Sequence, residues 1–130
     1  EGAVKFWEMP QKPCLGVELE EGMHGPNYGY GADQLLIYLC DGSETDPEKG
    51  LSLVRYMKDV YQRGIAVGAV PEALGLRLPL TEGCFSFIEM SAFVQLAAYY
   101  LTEAIGRDVA KPIDHSVMNA YFTTHADTPR

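Results

Sequence analysis

The sequence predicts an α/β fold built on a parallel sheet, and three observations carry that prediction. Short apolar runs bounded by turn residues recur at Gln34–Cys40 (QLLIYLC), Ile65–Val70 and Leu76–Leu80, the pattern of strands covered on both faces. A segment with helical apolar spacing lies between the first two runs, and a longer one follows the third. Strands alternating with helices favour parallel pairing, because a crossover helix must return the chain to the same end of the sheet.

Taken in order, Glu1–Met9 (EGAVKFWEM) has no breaker after Gly2 and stops at Pro10, which fits the last turns of a helix. Pro10–Pro13 reads as a turn, Cys14–Leu19 as an extended stretch, and Glu20–Gly31 as a glycine-dense loop or short helix. After the Gln34–Cys40 strand, Asp46 can cap a helix that has Pro47 at its first position. That helix puts Leu51, Val54, Tyr61 and either Met57 or Lys58 on one face, with Gly64 as its stop. In the longest helix Ser86 and Glu89 are spaced as a capping box. Met90, Phe93, Ala97, Leu101 and Ala104 form its apolar face, and Gly106 ends it. From Asp108 onward periodicity fades, so the tail is expected to be an irregular arm packed on the body. A sheet of this kind wants a strand before its first helix, and this chain contains none. The chain also opens inside an amphipathic segment, so it reads as part of a longer protein.

Composition narrows the function classes. Of the 130 residues, 47% are apolar and 22% charged, as in ordinary soluble domains. The net charge of −8 repels nucleic-acid backbones and anionic membranes, so neither is an expected partner. No apolar stretch is long enough to span a bilayer, since Ala92–Leu101 is interrupted by Gln95. Cys14, Cys40 and Cys84 are odd in number, widely spaced and flanked by apolar residues, which reads as buried free thiols in a reducing cytosol. The three histidines, His24, His115 and His125, match no zinc spacing, and no metal or organic cofactor is expected.

Four short segments, in order, carry a resemblance. Glu1-Gly2-Ala3-Val4-Lys5 followed by Glu8 resembles an EGAxKxxE helix. Glu21-Gly22-Met23-His24-Gly25-Pro26 resembles an ExxHGP motif, at an interval from Glu8 that needs no gap. Ala97-Ala98-Tyr99-Tyr100, and then Gly106-Arg107-Asp108-Val109 with Pro112, resemble a last helix and its G-x-D-V-x-x-P continuation. These patterns are similar to the second sugar-isomerase (SIS) subdomain of glutamine:fructose-6-phosphate amidotransferases and of fructosamine-6-phosphate deglycases. The match runs over 1–112, leaving 113–130 as a tail.

The resemblance implies a flavodoxin-like parallel sheet with flanking helices, here without its first strand. It also implies a partner SIS subdomain in the parent chain, assembly as a homodimer or higher homo-oligomer, and a cytoplasmic protein that takes a phosphorylated sugar. In that family a Ser/Thr-rich loop of the first subdomain grips the phosphate. Ser43 and Thr45 lie among acids here, so the grip is expected outside this chain, and the isolated chain is expected to be inactive. The tail has no lysine after Lys111, unlike the amidotransferase tail. That favours a deglycase or a ketose-phosphate isomerase.

Isomerising a ketose phosphate moves a proton from one carbon to the next through an enediol. One carboxylate beside both carbons can perform both transfers, and Glu8 is the candidate; its plain alternative is a solvated helix carboxylate. Lys5, three residues earlier on the same helix face, can keep Glu8 ionised or polarise a sugar oxygen, or can simply pair with it. His24 can exchange a proton with the ring oxygen during ring opening, or can bond a backbone carbonyl structurally. Glu21 either orients His24 or caps the turn. Gly25, beside His24, is carried as a substrate-binding position by the motif. Phe6 and Trp7 read as core or subunit interface, and no motif covers His115 or His125. A non-catalytic sugar-phosphate sensor is the competing reading.

Overall fold

The computed structural model describes residues 2–81, 83, 85–111 and 113–122; the expectations attached to Glu1, Cys84, Pro112 and His125 fall outside them. Among the described residues the chain runs α1 (Gly2–Glu8), α2 (Leu19–Met23), a 3-10 turn at Pro26–Gly29, β1 (Leu36–Cys40), α3 (Pro47–Tyr61) and β2 (Gly64–Gly68). A second 3-10 turn at Glu72–Leu74 leads into β3 (Gly75–Arg77), followed by α4 (Ser86–Ala104) and the single turn α5 (Ser116–Asn119). The fold is α/β, with a three-stranded parallel sheet in the order β1-β2-β3 flanked by helices. Leu36 pairs with Gly64 and Cys40 with Gly68, while Ala66 pairs with Gly75 and Gly68 with Arg77.

The core grows from the β1–α3–β2 crossover. Leu51 and Val54 of α3 meet Cys40, Ala66 and Val70, with Leu36, Tyr38 and Leu74 packed around them. Alternation along β2 puts Ala66 towards α3 and Val67 on the other face, and both are fully buried. Met57 shares the buried stripe of α3, whereas Lys58 at the adjoining position is exposed and donates to the Ala73 carbonyl at 2.6 Å. Fully burying a side chain such as Met57 contributes about 1.5–3 kcal/mol.

Several local expectations give way to tertiary contacts. Asp46 occupies the N-cap position of α3 but makes no side-chain cap bond. Gly64 does not stop that helix. Gln62 does, in a left-handed conformation with φ 58°, and Gly64 opens β2. Glycine is needed there because a Cβ would run into the Val54 carbonyl and stand 2.9 Å from the Lys58 nitrogen.

The Ser86–Glu89 capping box is also absent. Ser86 is already inside α4 and its hydroxyl donates back to the Gly83 carbonyl at 3.1 Å. Glu89 instead accepts from both the backbone N–H and the hydroxyl of Thr81, each at 2.7 Å. The buried stripe of α4 is Ser86, Met90, Val94, Ala98 and Thr102. Phe93, Ala97 and Leu101 are only half-buried beside it, and Ala104 is exposed. The stripe sits one residue further along than the apolar residues alone indicate, because Thr102 can be buried by donating to the Ala98 carbonyl at 2.7 Å.

Gly106 does close α4, at φ 72°. Its N–H bonds the Glu103 carbonyl and that of Arg107 bonds the Thr102 carbonyl, the paired pattern that satisfies orphan carbonyls at a helix end.

Helix α1 packs against α4. A Cβ on Gly2 would stand 2.9 Å from Val94 Cγ1, so the glycine permits the close approach of the two helices. Residues 11–18 form no strand, and the outer edge of β1 is unpaired among the described residues. The tail departs from the expected packed arm: within 113–122 only Met118 is half-buried, and α5 interrupts the irregular chain.

Candidate functional site

Because α1 is short, its last carbonyls lack intrahelical partners. One of them, Glu8 O, accepts from the Arg107 guanidinium at 3.2 Å. The chain then folds back, with Gln11 in a left-handed conformation at φ 53°. The Trp7 indole N–H donates to the Cys14 carbonyl at 2.9 Å. Trp7 is 54% exposed, so it is not the core residue its size suggests.

On the open face of α1, Lys5 Nζ donates to the Glu8 carboxylate at 2.7 Å, and the Glu8 side chain is 54% exposed. The pair is therefore present, solvent-facing and free of burial strain. Beside the end of α1 lies a groove of about 410 Å3 lined by Gln11, Arg107, Asp108, Lys111, Ile113 and Asp114.

His24 stands at the C-cap of α2. Its Nδ1 lies 2.8 Å from the Glu20 carbonyl. A carbonyl only accepts, so Nδ1 carries the hydrogen and the neutral ring keeps its lone pair on Nε2. The His24 side chain is 73% exposed, which leaves the ring open to exchange a proton with a ligand.

The Glu20 carboxylate is 3.9 Å from Nδ1 but belongs to Lys49, whose Nζ lies 2.5 and 2.6 Å from its two oxygens. Hydrogen bonding to Lys49, above all, lowers the Glu20 carboxyl below its ordinary range. The helix carrying His24 is thereby tied to the start of α3. It is Glu20, and not Glu21, that stands against the His24 ring; Glu21 contributes its backbone carbonyl to the His24 N–H at 3.2 Å. Gly25 donates its N–H to Asn27 Oδ1 at 3.0 Å and has open space around it. The Tyr30 hydroxyl donates to the Gly22 carbonyl at 3.0 Å, which pins the glycine-rich turn.

The structure thus joins Lys5 to Glu8 and His24 to Glu20 and Lys49. No hydrogen bond or ion pair links the two groups among the described residues. Glu20, Lys49 and Arg107 escaped the sequence reading. Lys49 meets Glu20 across 29 positions and Arg107 meets Glu8 across 99, and no local pattern encodes such contacts.

Elsewhere, Cys14 is half-buried and Cys40 buried, both free, and burial raises both thiols. His115 is the N-cap residue of α5. Among the described residues no group of three or more His, Cys, Asp and Glu side chains could hold a metal ion, and no helix is long and apolar enough to cross a membrane.

No family model and no curated protein matches the chain. Solved structures similar to it include the following two. One, from Clostridium difficile 630 and provisionally named a phosphosugar isomerase, superposes with a TM-score of 0.73 at 20% identity, over 95% of this chain and 35% of its own. The other, from Salmonella typhimurium LT2 and provisionally named a sugar-binding protein, gives 0.57 at 24% identity over 76% of this chain and 30% of its own. The chain therefore spans about a third of the length of each. At these identities the likeness establishes the α/β fold that the chain shares with both.

Proposed function

We propose that the chain is the second SIS subdomain of a phosphosugar-processing protein that carries out ketose–aldose proton transfer on a sugar 6-phosphate, as a fructosamine-6-phosphate deglycase or a phosphosugar isomerase. The observation that carries this reading is the His24 ring, held through Nδ1–H by a backbone carbonyl with Nε2 left for a ligand. That is the arrangement a ring-opening acid–base group needs. The exposed Lys5–Glu8 pair supports it, since it sets a carboxylate and an ammonium side by side on one helix face, where a substrate can reach both. The names of the two similar structures point to the same substrate class.

In the deglycase version, Glu8 takes a proton from C1 of the fructosamine phosphate. The resulting enaminol takes the proton back at C2, and water hydrolyses the imine so formed to an aldose phosphate and an amine. In the isomerase version the same carboxylate returns the proton to the neighbouring carbon. The phosphate grip, the companion subdomain and the assembly into a homo-oligomer belong to the rest of the parent protein. The reading requires neither a metal nor an organic cofactor, and it places the protein in the cytoplasm.

The test is Glu8→Gln in the full-length protein. Release of amine from a fructosamine 6-phosphate, and deuterium wash-in from solvent at C1 of fructose 6-phosphate, should both fall by roughly 100-fold or more. The melting temperature should stay within the range of a surface substitution. Unchanged turnover would remove Glu8 as the base, whereas sugar-phosphate binding with no turnover in the unsubstituted protein would transfer the chain to the second reading, a non-catalytic sugar-phosphate sensor. That reading is favoured by the absence of any bond joining Glu8 to His24 among the described residues.

A further inference from the structure

A second crevice, of about 510 Å3, opens where the three strands end. Asp41 follows β1, Ala69 follows β2, and Arg77, Leu78, Pro79, Leu80 and Thr81 close and follow β3, with Glu72 on the facing turn. In open parallel sheets the space beyond the carboxyl ends of the strands is where loops converge and ligands sit. The volume falls within the range of small-molecule sites. None of these residues belongs to the Glu8 or His24 groups.

The walls are fixed before any ligand arrives. Asp41 Oδ1 accepts from the Ser43 N–H at 2.8 Å and the Ser43 hydroxyl at 2.6 Å. Thr81 is held through both its N–H and its hydroxyl by Glu89. Leu78 is tied to the sheet by its N–H on the Gly68 carbonyl at 2.9 Å. The functional ends of Arg77 and Glu72, by contrast, make no hydrogen bond or ion pair among the described residues. The crevice therefore presents one guanidinium, carboxylates on two other elements, and a leucine–proline–leucine strip.

We propose that this strand-end crevice binds a small zwitterion of the α-amino-acid class. Its carboxylate lies on Arg77, its ammonium faces Asp41 and Glu72, and its aliphatic side chain lies along Leu78–Leu80. Planar guanidinium suits a carboxylate through two parallel N–H donors, while the two lining carboxylates select a cationic nitrogen. An anion alone would face uncompensated acids, and a cation alone would face Arg77, so both charges are required. The inference goes beyond proton transfer at Glu8 and does not depend on it.

The test follows backbone amide shifts in the isotope-labelled protein during titration with three probes that share a five-carbon reach: L-norleucine, pentylamine and hexanoate. Norleucine should move the amides of Ala69, Leu78 and Thr81, and each one-charge analogue should bind at least roughly tenfold more weakly, as expected for loss of a charged hydrogen bond. Arg77→Gln should weaken norleucine and hexanoate by roughly tenfold and leave pentylamine no weaker. Glu72→Gln should weaken norleucine and pentylamine and leave hexanoate no weaker. Both side chains are exposed, so the variants should fold, and an unchanged spectrum away from the crevice checks this. Norleucine shifts elsewhere on the protein, or none at tens of millimolar, would overturn the proposal. So would two variants that weaken all three probes alike. Because the readout is binding, a protein inactive on sugar phosphates leaves this test intact.

Discussion

In the β1–α3–β2 unit, Cys40, Val54, Met57, Ala66 and Val67 are each no more than 1% exposed, whereas α1 has no buried residue and α2 has only Gly22. The first region is held by apolar burial, which is non-directional and grows with area. The second is held by individual bonds: Trp7 to Cys14, Arg107 to Glu8, Lys49 to Glu20 and His24 to Glu20. The candidate chemical residues all lie in the second. The difference separates stability from chemistry, because side chains that must meet a substrate cannot also be spent on the core.

The sharpest way to break this comparison is a pair of truncations. Met57→Ala should lower unfolding free energy by about 2–5 kcal/mol, the usual cost of a cavity in a packed core. Trp7→Ala should cost about 1 kcal/mol, since only a half-exposed ring and one hydrogen bond are lost. Urea denaturation of both variants decides the matter, and equal losses would mean that the margin is as firmly packed as the centre.

His24→Asn comes next and probes the margin for chemistry. In the full-length protein, a cyclic sugar phosphate should turn over roughly 100-fold more slowly, because ring opening loses its proton carrier. An open-chain analogue should be affected far less. Equal losses on both, accompanied by a lower melting temperature, would make His24 part of the scaffold.

A third test returns to the centre. A Cβ at Gly50 would enter the Tyr38 ring, so Gly50→Ala should cost about 1–3 kcal/mol through overpacking. A neutral or stabilising result would show that the β1–α3 contact yields more readily than its burial suggests.

The smallest expected effect is electrostatic. Bonds from the Thr81 backbone N–H first, and its hydroxyl second, hold Glu89 below the ordinary carboxylate range. A depressed folded-state value means that the contribution is present above the unfolded value of about 4.3 and fades as pH falls through the lower folded one. The melting-temperature gap between the protein and its Glu89→Gln variant should therefore be constant from pH 7 to about pH 5 and shrink below about pH 4. A gap independent of pH would assign Glu89 no ionic role.

The parts of the fold that could be read in the sequence are those that local pattern encodes. The runs at Gln34–Cys40 and Ile65–Val70 became β1 and β2, and the spacing of Leu51, Val54 and Met57 became the buried stripe of α3. The errors arose where a distant partner intervened. Ser86 and Glu89 have the spacing of a capping box, yet Thr81 claims Glu89. Gly64 looks like a helix stop, yet it is needed where β2 passes beneath Val54. At the site, the motif residues Lys5, Glu8, His24, Glu21 and Gly25 could be named, but the groups that hold them could not. Lys49 and Arg107 act across long sequence separations, and Glu20 differs from Glu21 only in which way its helix turns.

The buried stripe of α4 advances in steps of four residues, from Ser86 to Thr102. Such a row winds around its helix instead of running straight along it, so successive members face different neighbours. The Met90 methyl reaches to 3.2 Å from where a Cβ on Gly68 would stand, at the end of β2, whereas Val94 meets Gly2 at the start of α1. Just past the helix, Arg107 seizes the carbonyl of Glu8. Helix α4 thus touches both the end of β2 and the Glu8-bearing helix, so the core and the candidate chemical residues share one support.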